Sequence, residues 1–143
     1  MVDALQRACE WLAADGRIID VHPTAAPARL VIANEVERFV AGELQDFTDG
    51  YGPAGRHAQA DAAIDSALAD GWLVLEGRRT VTFIHETDSL SEMCEHIRSA
   101  WRHAVFAAAT LERAEARLRQ HPGGALLLEE DIGLARLRCG GRQ

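Results

Sequence analysis

Glycine and proline residues divide this chain into segments that must fold as separate short elements. Among its 143 residues, breaks lie at residues 22–28, which hold two prolines, at 48–56, and at Pro122 with the two glycines after it. Such residues end helices and favour turns. A chain of this length suits one packed core, and we predict that residues 1–143 form a single domain.

Three helices are predicted in the first half of the chain, over residues 3–14, 34–47 and 57–70. The second begins at Asn34 with Glu37 three residues later, which is the spacing of a capping box. Its apolar residues recur at helical intervals and predict a buried face. They are Val36, Phe39, Val40, Leu44 and Phe47.

Apolar runs bounded by turn residues predict the strands. Residues 17–21 and 29–33 are short strand candidates, and residues 72–84 and 125–139 each predict a hairpin with glycine in its turn. The predicted fold class is therefore α+β. Four to five helices would accompany two β-hairpins that form a small antiparallel sheet.

Residues 88–121 form the longest predicted helical stretch, with apolar residues at alternating spacings of four and three. This seam consists of Leu90, Cys94, Ile97, Trp101, Ala104, Ala108 and Leu111. Glu115 interrupts it, so the helix either breaks near Thr110, which we favour, or continues as a rod about 45 Å long. A continuous rod would bury its seam in a partner, and a homodimer through this long helix is one hypothesis.

Histidine and carboxylate residues lie on the opposite side of this helix. Glu92 and His96 are four residues apart and can share a metal ion or a hydrogen bond, and His85 precedes the helix. The set His85, Glu92 and His96 is thus a candidate divalent-metal site, although a solvated polar face is the simpler interpretation. The zinc motif H-E-x-x-H is absent, and the sequence leaves the identity of any cofactor unknown.

Several kinds of chemistry are excluded by residues that the chain lacks. All 15 basic residues are arginine, so Schiff-base and P-loop chemistry cannot operate. The three cysteines, Cys9, Cys94 and Cys139, are far apart and predict buried thiols in a reducing compartment. With no secretory signal and no apolar run of about 20 residues, we expect a cytoplasmic location in a bacterium-like cell and no membrane partner.

A short helix and a tight hairpin follow one another in residues 57–83, with Arg78 and Arg79 at the hairpin tip. This order resembles the recognition helix and wing of winged-helix domains, with residues 3–14 and 34–47 as the first two helices. The resemblance implies DNA binding through the third helix. That helix departs from the family pattern because it carries three carboxylates, which would repel phosphate.

Charge is distributed unevenly along the chain. Residues 1–72 carry 12 acidic residues and 5 arginines, whereas residues 73–143 carry 10 of each, and the whole chain has a net charge of −7. The acidic half disfavours broad nucleic-acid binding. An acidic surface is suited instead to a basic protein partner.

We therefore predict a small acidic protein-binding or regulatory module without catalytic activity of its own. The candidate interaction residues are Arg78, Arg79, Trp101 and His103. Three alternatives stay open: a small metal- or histidine/carboxylate-dependent enzyme, a winged-helix DNA-binding regulator, and an acidic mimic of nucleic acid.

Overall fold

A computed structural model describes residues 2–13, 15–46, 55–101 and 104–140, without the side chains of residues 2, 3, 46 and 55–57. These ranges form four helices and six strands. The helices are α1 (Val2–Trp11), α2 (Gly55–Ala69), α3 (Leu90–Ala100) and α4 (Ala108–Gln120). The strands are β1 (Ile18–Pro23), β2 (Arg29–Ala33), β3 (Arg38–Asp46), β4 (Leu73–Thr87), β5 (Ala104–Phe106) and β6 (Ala125–Cys139). The α+β class is confirmed, but the sheet is larger than predicted.

The strands pair in the order β1-β6-β2-β3-β5, and β4 also pairs with β6. Strand β6 pairs antiparallel with β1 near its C-terminal end, where Leu137 faces Ile18, and with β2 near its start, where Leu128 faces Leu30. The β2–β3 register shifts between Leu30 and Val31, which marks a β-bulge.

Two compact units divide the chain. Unit 1 comprises Met1–Ala25, Gly55–Val81 and Ile132–Gln143, and unit 2 comprises Ala26–Ala54 and Thr82–Asp131. Each unit has its own apolar core. The core of unit 1 contains Ile64, Ala67, Leu73, Ala135 and Leu137, and that of unit 2 is centred on Leu30, Ile32, Met93, Ile97, Ala114 and Leu128. Strands β4 and β6 have residues in both units, and a single domain stays a prediction.

The predicted helix over residues 34–47 is wrong, because residues 38–46 form strand β3. Asn34 does accept hydrogen bonds from the backbone N–H groups of Val36 and Glu37, as a helix cap would. Its own N–H, however, donates to the carbonyl of Glu37 at 2.9 Å and closes a turn between β2 and β3. Asparagine side chains make the same bonds in turns and in helix caps, so the local signal was ambiguous.

Both predicted hairpins are wrong, because β4 and β6 are continuous strands of 15 residues. In β6 the most deeply buried apolar residues are even-numbered at first, with Leu126 and Leu128, and odd-numbered later, with Ala135 and Leu137. Successive strand residues point to opposite faces. The buried side chains therefore change from one face of β6 to the other along the strand. In the sequence, this change resembles two separate strands joined by a turn.

The long helix predicted over residues 88–121 is also wrong, since α3 and α4 are separated by β5. A break was expected near Thr110, but it lies earlier: α3 ends at its C-cap Trp101, and Ala107 is the N-cap of α4. Ile97 and Ala104 of the predicted seam lie in the core of unit 2. The described residues of the seam are therefore divided among α3, β5 and α4, and the homodimer stays a prediction.

The winged-helix arrangement lacks two of its parts among the described residues. Its second helix would be residues 34–47, which contain β3, and its wing would be a hairpin at residues 72–84, where β4 is a single strand. The first and third predicted helices do correspond to α1 and α2. Across the described parts of the chain, no helix is long and apolar enough to cross a membrane.

The expectation of three thiols is wrong, because Cys9 of α1 and Cys139 of β6 form a disulfide. The two residues are 130 positions apart in sequence, and their Cα atoms lie 5.8 Å apart. Cys94 is free and half-buried. The spacing of the cysteines gave no indication of the pairing, since the bond depends on where α1 and β6 meet in space.

A close approach of α4 to β3 gives a test of the core of unit 2. A Cβ atom at Gly42 would overlap the hydroxyl of Thr110 and lie 2.8 Å from its methyl carbon. Arg113 Nε also donates to the Ala41 carbonyl at 2.6 Å. We expect Gly42→Ala to lower the free energy of unfolding by about 1–3 kcal/mol in urea titrations, because the helix must shift.

The matched control is Gly77→Ala in β4, where an added Cβ meets nothing within 4 Å. We expect it to change the free energy of unfolding by no more than about 0.5 kcal/mol. Equal stability of the Gly42→Ala variant and the parent would show that α4 does not pack against β3 at this point.

Candidate functional site

The sheet of unit 1 has helices on one of its faces. Ile64 and Ala67 of α2 pack against Leu73 of β4 and Leu137 of β6. Ile18 of β1 packs against the same core. Because side chains alternate along a strand, the neighbours of these strand residues point to the opposite face.

That opposite face carries exposed apolar side chains. Ile19 and Val21 of β1 are 61% and 58% exposed. Leu134 of β6 faces Val21 across the strands and is half-buried, and Ile132 faces Pro23. Apolar side chains grouped in this way on a sheet are typical of an interaction surface.

Three arginines surround one carboxylate on the same face. Glu76 of β4 lies 2.7 Å from Nε of Arg17, 3.2 Å from Nε of Arg136 and 3.6 Å from Nε of Arg138. Three cations around one anion leave a net charge of about +2 beside the apolar side chains. This local charge is opposite in sign to the net charge of the whole chain.

We name this surface the open face. It comprises Arg17, Ile19, Val21, Val74, Glu76, Ile132, Leu134, Arg136 and Arg138. Sequence reasoning missed it because the residues come from three segments that are distant in the chain. One signal was available: from Leu134 to Arg138, apolar and basic residues alternate with Ala135 and Leu137, which belong to the core.

The predicted metal ligands are only partly brought together. The imidazole rings of His85 and His96 stack with centroids 3.8 Å apart. Glu92 instead takes part in the N-terminal cap of α3: its N–H donates to Ser89 Oγ, and its carboxylate accepts from the N–H of Asp88 at 3.0 Å. Within the described ranges, no group of three or more His, Cys, Asp or Glu side chains is placed to hold a metal ion.

Three of the four predicted interaction residues lie within the described ranges. Arg78 lies in β4 and is 3.3 Å from Asp65 of α2, while Arg79 is exposed on the same strand. Trp101 is half-buried and packs against the core of unit 2. His103 lies outside the described residues.

A second cluster in unit 1 joins β1 to α2. His22 Nδ1 lies 2.7 Å from Asp20 Oδ2, and His22 Nε2 lies 3.4 Å from Asp61 Oδ1. The Nε2 atom is buried and its contact with Asp61 lacks hydrogen-bond geometry. Because a substrate could not reach this nitrogen, we interpret the cluster as a structural link.

Unit 2 contains a charged network on its sheet. Glu129 is 5% exposed and accepts a hydrogen bond from Arg38 Nε at 3.1 Å, while Arg29 lies 3.1 Å from Asp131. Burial raises the pKa of the neighbouring Glu130 carboxyl group. Pairing with arginine compensates part of the cost of burying Glu129.

Comparison with protein-family models, with curated proteins and with solved structures found no match for this chain. The function must therefore be inferred from the geometry of the described residues.

The stacked histidines give a pH-dependent expectation. Burial, and to a smaller extent the charge of His85, lower the pKa of His96 from its ordinary value of 6.5. His96 therefore binds a proton less readily in the folded than in the unfolded protein. The free energy of unfolding should fall as the pH decreases from about 7.5 through 6.5 and below.

Urea titrations across this pH range test the expectation with two variants. His96→Gln should remove this contribution to the pH dependence, and His85→Gln should reduce it by less, since burial is the larger cause. If the free energy of unfolding of His96→Gln depended on pH as it does in the parent, the pH dependence would not be due to His96.

Proposed function

We propose that this protein is a protein-binding module that uses its open face to hold a partner segment bearing apolar and acidic side chains. The observation that carries the proposal is the exposure of Ile19 and Val21 beside a carboxylate with three arginines. In this proposal the protein carries out no reaction of its own and acts by contact, as a regulatory subunit does.

The apolar part of the open face supplies binding energy. A branched aliphatic side chain that becomes fully buried contributes about 1.5–3 kcal/mol. Ile19 and Val21 are a little more than half exposed, so covering both would contribute roughly 2–4 kcal/mol. This contribution is independent of charge and does not select among partners.

The arginines make the open face selective for acidic partners. Glu76 neutralises one of them, and the other two positive charges favour carboxylates on the partner. A basic partner would be repelled at this position. The chemistry therefore differs from the sequence-based expectation that the acidic half of the chain meets a basic protein.

A protein segment fits this surface better than nucleic acid does. The exposed side chains beside the arginines are aliphatic and cannot contact phosphate favourably, and the chain as a whole carries a charge of −7. Nucleic-acid binding depends on many cations that contact phosphates together. Two unneutralised arginines fall short of that requirement.

Fluorescence anisotropy with two synthetic peptides tests the proposal. One peptide alternates valine with glutamate, and the other alternates valine with lysine. We expect the acidic peptide to bind at least tenfold more tightly, and its affinity to fall as salt is added.

Variants assign that binding to the open face. Ile19→Glu should weaken binding of the acidic peptide at least tenfold. Arg136→Glu should also weaken binding of the acidic peptide, and it should reduce the ratio of the affinity for the acidic peptide to that for the basic peptide. Val36→Glu is the matched control, because Val36 is 94% exposed and lies outside the open face. We expect it to change binding by less than twofold.

Two results would refute the proposal. One is equal affinity for the two peptides in the parent protein. The other is displacement of the acidic peptide by duplex DNA at moderate salt, which would show that the arginines recognise phosphate.

A further inference from the structure

The disulfide of unit 1 lies at the wall of a cleft. Cys9 and Cys139 line it together with Gln6, Glu10, Trp72 and Gly140, and its volume is about 770 Å³. Both cysteines are half-buried rather than enclosed in the core. A small molecule can therefore approach the sulfur atoms from the cleft while the rest of unit 1 stays folded.

Helix α1 has few apolar anchors besides this bond. Among the described side chains of α1, Leu5 and Cys9 pack against the core of unit 1, whereas Trp11 at the helix end is 84% exposed. An isolated helix of ten residues is marginally stable in water. The helical state of α1 therefore depends on its attachment to β6 through Cys139.

We propose that the Cys9–Cys139 disulfide is a thiol–disulfide exchange site, opened by a low-molecular-weight thiol that enters the cleft, and that its opening releases α1 from β6. The proposal is independent of the binding function of the open face. It concerns a different set of residues in the same unit.

The exchange occurs in two steps. A thiolate RS⁻ attacks one cysteine sulfur, the S–S bond breaks, and the other cysteine leaves as a thiolate that takes up a proton. A second RS⁻ then attacks the sulfur of the bound RS group, which forms RS–SR and frees the remaining cysteine thiolate, which is protonated in turn. The two added thiols supply the two electrons and the two protons.

Such exchange reconciles the disulfide with the expected cytoplasmic location. Disulfides in reducing compartments are rare and are usually transient or redox-sensing. A bond that is reached from a cleft, and that holds a short helix, can open and close without loss of the core. The buried residues of the unit 1 core come from α2, β4 and β6, whereas α1 adds the partly buried Leu5 and Cys9.

The test uses the oxidised full chain carrying Cys94→Ser, which removes the third cysteine. The protein is incubated in native buffer with millimolar 2-mercaptoethanol, and samples are alkylated and treated with trypsin. We expect mass spectrometry to show alkylation of both Cys9 and Cys139. Cleavage after Arg7, in α1, should become at least tenfold faster than without thiol.

Three further measurements separate release of α1 from general unfolding. Cys139→Ser, added to the same background, should show fast cleavage after Arg7 without any thiol. In the parent, removal of the thiol and reoxidation should restore protection of Arg7. Emission of Trp72 should rise on reduction, because a nearby disulfide quenches indole fluorescence, and this change should be absent in Trp72→Phe.

The proposal is overturned if the cysteines are alkylated only in denaturant, or if they are alkylated with no faster cleavage after Arg7. It is also overturned if cleavage after Arg7 is accompanied by equal cleavage within α2 or β6. If Cys139→Ser does not fold, the reduction and reoxidation cycle of the parent decides between these outcomes.

Discussion

Strand β6 makes backbone hydrogen bonds with β1, β2 and β4, and both apolar cores depend on this strand. Its first residues supply Leu126 and Leu128 to the core of unit 2, and its last residues supply Ala135 and Leu137 to the core of unit 1. A central strand tolerates little change in register, because a slip by one residue reverses which side chains are buried. Glu129 of β6 accepts a hydrogen bond from Arg38 of β3, and this contact adds a polar constraint on that register.

Elements whose structure is set by local sequence were predicted well. The strand at residues 29–33 matches β2, and the helix at 57–70 corresponds to α2. Errors arose where one local pattern fits two structures. Asn34 bonds to nearby N–H groups in a turn as it would in a helix cap, and the apolar seam of residues 90–111 reflects burial in one core from three successive elements.

The open face and the disulfide could not be predicted, because they depend on pairing between distant segments. Arg17, Glu76 and Arg136 meet only because β1 and β4 both pair with β6. By contrast, the metal hypothesis concerned residues that are near one another in the sequence. The rings of His85 and His96 stack, but Glu92 takes part in the cap of α3, a role that its spacing from Ser89 also indicates.

The pairing of Ile18 with Leu137 and of Leu30 with Leu128 has a consequence for how the protein is made. A ribosome releases β1 and β2 long before β6, so β1 lacks its partner strand, and β2 lacks one of its two partners, until β6 has been made. Pairings between such distant residues form slowly, because a long loop must close first. The nascent chain therefore exposes strand edges until β6 emerges, and chaperones that shield extended chains would act during that interval.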